Sequence, residues 1–237
     1  MNDPRPDPLH ALQFPALDPH RPTAEQIHKA LKSAILSTEL PPGCLIPESE
    51  IGQRFGASRT PVREAFVQLR EDGLIVTQPS RGNFVSALSE QAIRQAQFLR
   101  EGLELANVAR LCETGCAPGV IDALDRCLSL QADAVAQNDN ARFQEQDDRF
   151  HRLLARATGF ARAETVLVRE KAALDRLRVL ALSSVDHKAR LLDEHRAIRN
   201  AIVSGDAVRT IAETRAHLRS ILGALSRLIA ENKDLFG

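Results

Sequence analysis

Four side chains able to hold a metal ion recur at helical spacing on faces that are otherwise apolar. Residues 140–157 read as a helix whose inward stripe is Phe143, Phe150, Leu154 and Ala157; Asp147 and His151 lie on or beside that stripe, four residues apart. His195 falls in the stripe Leu191, Ile198 and Ile202 of a helix over 186–203, and His217 accompanies Ile211, Leu218 and Ile221 of a helix over 206–231. Burying a carboxylate without a partner is costly, so Asp147 needs a reason to face inward. One carboxylate oxygen with three imidazole nitrogens suits Zn, Ni, Mn or Fe(II), zinc being favoured, and leaves positions open to water or a ligand. Ordinary core histidines and an Asp147–His151 pair within one helix account for the same residues, because spacing alone does not make three helices converge. Arg100 and Glu104, also four apart, read either as an ion pair within a helix or as a buried guanidinium fork for an anion. His10, His20, His28 and His187 lack such a setting.

A second constellation lies in GASRTPVREAFVQLREDGLIVTQPSRGNFV, residues 56–85. Ser58 is a good N-cap, and Val62, Ala65, Phe66 and Leu69 then share one face of a helix, leaving Arg59, Thr60 and Arg63 on the other. Gly73 reads as a left-handed stop, and Pro79-Ser80-Arg81-Gly82 as the turn of a hairpin between residues 74–78 and 83–86. A helix displaying arginines, followed by a hairpin with one more at its tip, is the layout of a winged helix-turn-helix.

The remaining chain must position these two sets. Residues 1–22 hold six prolines and little periodicity, which predicts a flexible N-terminal arm. Thr23 as N-cap starts a helix through Ser37, Pro41-Pro42-Gly43 ends it, Leu45 and Ile46 supply a short strand, and residues 47–55 a second short helix. The winged domain thus spans 23–86. From 89 to 233 one helical pattern follows another, at roughly 89–116, 119–137, 140–157, 162–184, 186–203 and 206–231. The breaks carry stop or cap residues, among them Asn138-Asp139-Asn140 and Ser183-Ser184, and a further break inside the first would make seven helices. The fold class is mainly α: a winged helix-turn-helix, then an antiparallel helical bundle of six or seven helices.

Composition bounds the function. With 43% apolar and 26% charged residues the chain is ordinary for a globular protein, and no run of about 18 apolar residues or basic leader suggests a membrane or export. A cytoplasmic protein is the expectation. Four cysteines without a paired CxxC pattern make no disulfide scaffold. The 31 basic and 31 acidic residues cancel, so net charge gives no sign of nucleic acid; locally, Arg54, Arg59, Arg63, Arg70 and Arg81 outnumber Glu64, Glu71 and Asp72 between 52 and 82.

These residues resemble the GntR family of bacterial transcription regulators, and within it the FadR-like subfamily with a C-terminal FCD effector-binding domain. The string at 56–75 with PSRGNFV resembles the winged-helix signature; DDRFH at 147–151, EHRAI from Glu194 and a histidine 22 positions after His195 resemble the FCD metal motif. The resemblance implies Asp147, His151, His195 and His217 as metal ligands, and Arg100, in REGLE, as the contact for the carboxylate of a small organic-acid effector. It implies that Arg59 and Arg63 read a double-stranded operator, that Thr60 contacts phosphate or a base edge, and that Arg81 with Gly82 brings the wing to the backbone. Ser49 stands where many relatives have a basic residue, and Gly52 where alanine is usual. The function so implied is that of a homodimeric repressor released from a pseudo-palindromic site by its effector. A helical metalloenzyme is the first alternative, lacking an HExxH-type motif or an evident general base; a winged-helix scaffold for protein partners is the second.

Overall fold

Helical periodicity builds the winged unit of this computed structural model, which describes residues 8–181 and 185–237. After a short α1 (Pro8–Ala11), α2 (Thr23–Leu36) packs Ile27, Leu31, Ala34 and Ile35 against α4 (Arg59–Glu71), whose Val62, Ala65, Phe66 and Leu69 are all buried. Between them α3 (Glu48–Phe55) adds Ile51 and Phe55 to the same core. Gly56 closes α3 at φ 61°, a left-handed conformation that glycine adopts without strain, and permits the tight turn into α4. The side-chain caps expected at Thr23 and Ser58 do not form. Thr23 is itself the first helical residue after Pro22, and Ser58 holds the cap position at an exposed site, where water serves the free amides of the first turn.

The wing is the antiparallel pair β1 (Ile75–Gln78) and β2 (Gly82–Val85), in register from Ile75 opposite Val85 to Gln78 opposite Gly82. Leu45 bridges Phe84 on the far side, and the Ile46 amide donates to the Asn83 carbonyl at 2.8 Å. Gly82 sits at φ 113°, a backbone conformation that strains any other residue, and a Cβ there would also crowd Leu45 Cδ1 at 3.0 Å.

Residues 8–17 differ from the loose arm that their prolines suggest. Leu9 is completely buried in the winged-helix core, and Leu12, Phe14 and Leu17 pack beside it. Arg54 of α3 donates to the carbonyls of Leu9 and, at 3.1 Å, His10, while Phe14 lies 4.6 Å from Phe55 between ring centroids. Proline removes periodicity without removing the capacity to bury single apolar side chains.

The second unit is helical. Among the described residues it comprises α5 (Glu90–Thr114), α6 (Pro118–Ala136), α7 (Asn140–Ala157), α8 (Ala161–Ala181), α9 (Val185–Ser204) and α10 (Ala207–Glu231). The break expected at Ser183-Ser184 lies outside the described residues. Helix α6 packs on α7 and α9, and α7 on α8, around Val108, Leu124, Cys127, Phe143, Phe150, Leu154, Leu192, Ile198 and Ile202. No helix among the described residues is long and apolar enough to cross a membrane.

The chain divides as residues up to Glu90 together with Ile229–Gly237, and Gln91–Leu228. The end of α10 and the tail therefore join the winged unit rather than the helical one. Backbone pairing explains it: the Leu88 amide donates to the Leu235 carbonyl at 2.8 Å and the Gly237 amide to the Leu88 carbonyl at 3.1 Å. Because Leu9 is fully buried, Leu9→Ala should destabilise the winged unit by about 2–5 kcal/mol. Faster amide exchange in α2 and α4 of the full chain is the check, and an unchanged exchange profile would return residues 8–17 to a loose arm.

Candidate functional site

Helix α7 carries the first two candidate ligands, and its start is well determined. Asp139 caps it by accepting from the Arg142 amide at 2.9 Å, and Asn138 takes φ 52° in the preceding turn. Lys188 of α9, fully buried, donates to Asn138 Oδ1 at 2.6 Å and to Asn140 Oδ1, tying α9 to this turn. Seven residues on, and so on the same face of α9, His195 is brought against α7 with its ring stacked on Phe150 at 4.4 Å. His217 arrives from α10, beside Thr214 and Leu218.

The three histidines converge. His217 Nε2 lies 3.2 Å from His151 Nε2 and 3.3 Å from His195 Nε2. Each ring has its other nitrogen held by an acceptor: His151 Nδ1 by Glu104 Oε2 at 2.5 Å, His195 Nδ1 by Gln131 Oε1 at 2.8 Å, and His217 Nδ1 by Glu194 Oε2 at 2.8 Å. A carboxylate oxygen only accepts, and the Gln131 amide is oriented by its own donation to the Gln146 carbonyl at 3.2 Å. In its neutral form each ring is therefore the Nδ1–H tautomer, with an Nε2 lone pair turned inward. Burial pushes His195 well below the ordinary imidazole value, and the guanidinium charges of Arg100 and Arg178 push it the same way. Burial likewise pushes His217 down to about 4, against the pull of Glu194. Protonating these two rings is thus a poor way to relieve the facing lone pairs.

A cation relieves them directly. Two imidazole nitrogens each about 2.1 Å from one zinc-sized ion stand roughly 3.0–3.4 Å apart at ligand angles from right-angled to tetrahedral. The observed separations of 3.2 and 3.3 Å fit such an ion. Asp147 Oδ1 is 3.6 Å from His195 Nε2, beside the triad, while its other oxygen is paired with Arg178 of α8. The four residues singled out from the sequence are thus brought to one place, three of them converging and the fourth engaged elsewhere.

Arg100 belongs to the same place. Its Nε donates to Glu104 Oε1 at 2.5 Å, so Glu104 joins Arg100 to His151. The pair within α5 is real but buried, with side chains only 9% and 3% exposed, unlike a solvated surface pair. Burial opposes the Glu104 charge, yet the charge of Arg100 and the hydrogen bonds from His151 and Arg100 hold its carboxyl well below the usual range. Arg100, Asp147, Arg178, His187 and His217 line a cavity of about 30 Å³ walled also by Leu191, Leu218 and Ile221.

On the winged unit, Arg59, Thr60 and Arg63 stand exposed on the first turns of α4, and Arg81 and Gly82 are exposed at the tip of the wing. Glu48 links these parts: its Oε2 lies 3.5 Å from Arg63 Nε, and its Oε1 accepts from Asn83 Nδ2 of β2 at 3.4 Å. Arg81 lies over the Phe84 ring at 5.5 Å.

Several residues that complete the site were not singled out in the sequence. Gln131 extends the apolar stripe Leu124, Cys127 and Leu128 of α6, and Arg178 follows Leu167 and Leu174 on α8. A polar residue on an apolar stripe is the signal that revealed the histidines, and it was present here. His187, left out of the candidate set for want of an apolar stripe, is buried and accepts from Arg190 at 2.8 Å. Removing Glu104 leaves Arg100 buried without its partner, so Glu104→Ala should cost about 3–5 kcal/mol in denaturant unfolding. Since that carboxyl is held below its unfolded value of about 4.5, its contribution is present above that pH and lost only as pH falls further. A Glu104→Ala protein as stable at pH 7 as the parent would contradict this.

Comparison with known proteins agrees with both halves of this geometry. Residues 23–85 match the model for bacterial regulatory proteins of the gntR family, and residues 95–220 match the FCD domain. The HTH-type transcriptional repressor RspR of Escherichia coli K12 is 32% identical over 220 residues, covering 93% of this chain and 96% of its own. An uncharacterised HTH-type regulator of Streptomyces ambofaciens is 33% identical over 216 residues, covering 91% and 90%. The solved structure of E. coli McbR/YncC superposes with a TM-score of 0.71 over 86% of this chain and 97% of its own, at 16% identity, a likeness of fold. The relatives are regulators of transcription rather than enzymes, and the chain belongs to the GntR family of DNA-binding transcriptional regulators, with an FCD domain following its winged helix.

Proposed function

We propose that this regulator is a homodimeric cytoplasmic repressor that leaves a pseudo-palindromic operator when a small carboxylate binds beside a divalent metal ion, zinc for preference, in the helical unit. The observation that carries the reading is the convergence of three Nε2 atoms, at 3.2 and 3.3 Å, beside the buried guanidinium of Arg100. A repressor role is supported by RspR, which bears that description and aligns with 93% of the chain.

His151, His195 and His217 would hold the ion, with Asp147 as the fourth protein ligand. Bound there, the ion supplies open positions for a carboxylate or hydroxyl oxygen. The chain's own residues do the rest. Glu104, Gln131 and Glu194 fix the rings so that only Nε2 faces the ion, and Arg100 offers the effector's carboxylate a charged donor. Binding must favour one state of the dimer over another, since a ligand with equal affinity for both shifts nothing.

On the DNA side, two copies of α4 would enter successive major grooves, matching the protein's two-fold axis to that of the site. Arg59 and Arg63 present forks that fit guanine O6 and N7, Thr60 reaches phosphate or a base edge, and Arg81 with Gly82 lets the wing approach the backbone. With no net charge to draw on, affinity rests on these few arginines and on dimerisation, and it should still fall steeply with salt.

Genomic fragments selected by the purified protein supply the operator for the tests. Arg63→Ala should weaken specific binding by about 1–3 kcal/mol in gel-shift titrations, and unchanged binding by the folded variant would remove Arg63 from the readout. The double variant His195→Ala, His217→Ala should lose its bound metal by elemental analysis. One retained equivalent per chain would count against the triad.

A further inference from the structure

Arg178 has a partner arrangement unlike that of Arg100. It is 7% exposed on α8, with Nη1 donating to Asp148 Oδ1 at 2.8 Å and Nη2 against Asp147 Oδ2. Asp148 is already shared with Lys171, 2.8 Å from its other oxygen. Asp175, 4.0 Å from Nη1, is likewise taken by Lys171 at 2.7 Å, so Asp147 is the one of the three carboxylates around Arg178 that Lys171 does not share, and it is also the carboxylate beside the histidine triad, 3.6 Å from His195 Nε2. Arg100, in contrast, is held by Glu104, which does not face the Nε2 atoms.

A buried carboxylate cannot neutralise two buried cations at once without large loss. An ion on the triad that draws in Asp147 leaves Arg178 in a low-dielectric pocket with only the carboxylates of Asp148 and Asp175, which Lys171 also occupies, and close enough to Arg100 for the two like charges to repel. Arg100, Asp147 and Arg178 line one cavity, so a ligand seated there meets both guanidinium groups, and Arg178 is engaged while it lies on Asp147. An incoming carboxylate would take the place of Asp147 and accept from the freed Nη2 while Nη1 stays on Asp148.

We propose that Arg178 is an anion-binding residue latched on Asp147 until a cation takes that carboxylate, so that a small carboxylate ligand binds only to the metal-loaded protein. Arg100 and Arg178 then form a two-armed clamp. The inference rests on the metal-and-carboxylate reading above and adds to it an order of binding and a second guanidinium.

Calorimetric titration of the full-length protein tests it, using zinc chloride after chelator treatment and then glycolate, the simplest hydroxycarboxylate. The parent should take one zinc per chain, bind glycolate when loaded, and show no glycolate heat when metal-free. Arg178→Met removes the competing cation, so zinc should bind roughly tenfold or more tighter. Glycolate should bind loaded Arg178→Met roughly tenfold or more weaker, as expected for a lost charged hydrogen bond. No zinc bound by the parent overturns both this inference and the reading beneath it. Zinc without glycolate binding, or glycolate binding to the metal-free parent, overturns the order of binding. A parent that behaves as described, with an Arg178→Met variant matching it in both titrations, overturns the role of Arg178 alone. Should Arg178→Met fail to fold, Arg178→Lys keeps the charge without the fork. It should bind zinc within a few-fold of the parent and glycolate more weakly, and equal glycolate affinity would sink the proposal.

Discussion

Three imidazoles point their lone pairs at one another because each has its outer nitrogen taken. Glu104, Gln131 and Glu194 accept from the Nδ1 atoms of His151, His195 and His217, and this alone decides which nitrogen faces inward. With acceptors on the outside and burial opposing protonation of His195 and His217, the inner face is a concentrated patch of electron density to which α5, α6, α7, α9 and α10 all contribute. Much of the surrounding architecture serves that patch. Lys188 fixes α9 against the turn before α7, Phe150 backs His195, and Gln97 of α5 donates to the Leu218 carbonyl of α10 at 2.6 Å, one residue from His217.

The charges around the patch come in chains rather than isolated pairs. Arg100 leads through Glu104 to His151, and Lys171 leads through Asp148 and Arg178 to Asp147. In a buried chain the partner of one group is the competitor of the next, so a change of charge at one end must be answered along its length. The winged unit shows the same economy on a smaller scale. Arg70 and Thr77 meet on Asn83 Oδ1, Asn83 donates to Glu48, and Glu48 reaches Arg63, which joins the wing to the exposed face of α4 through side chains alone.

The architecture was largely legible in the sequence because its helices are strongly amphipathic and their ends are marked by Asn, Asp, Gly and Pro. His151, His195 and His217 were legible for a related reason: a titratable residue on an apolar stripe stands out against its neighbours. What the stripe does not reveal is the partner across the interface. Arg178, Gln131 and Glu194 meet their histidines or aspartates only through tertiary packing, at separations such as 31 residues between Asp147 and Arg178 that no local period encodes. Arg100 was legible as an ion pair with Glu104, which forms, though buried at the cavity rather than solvated. Residues 8–17 went unread because burial of Leu9 and Phe14 needs no repeat, only a surface with holes to receive them.

The backbone pairing of Leu88 with the tail gives the chain an unexpected topology. Because residues up to Glu90 and Ile229–Gly237 form one unit, the helical unit is an insert: the chain leaves the winged unit before Gln91 and returns to it after Leu228. A winged unit transplanted by a single cut near Leu88 would leave behind its own last segment. Exchanging the sensory half of such a regulator for another is then a matter of two junctions, one at the start of α5 and one near the end of α10. The second must preserve the close approach in which a Cβ on Gly237 would lie 2.8 Å from that of Ala87.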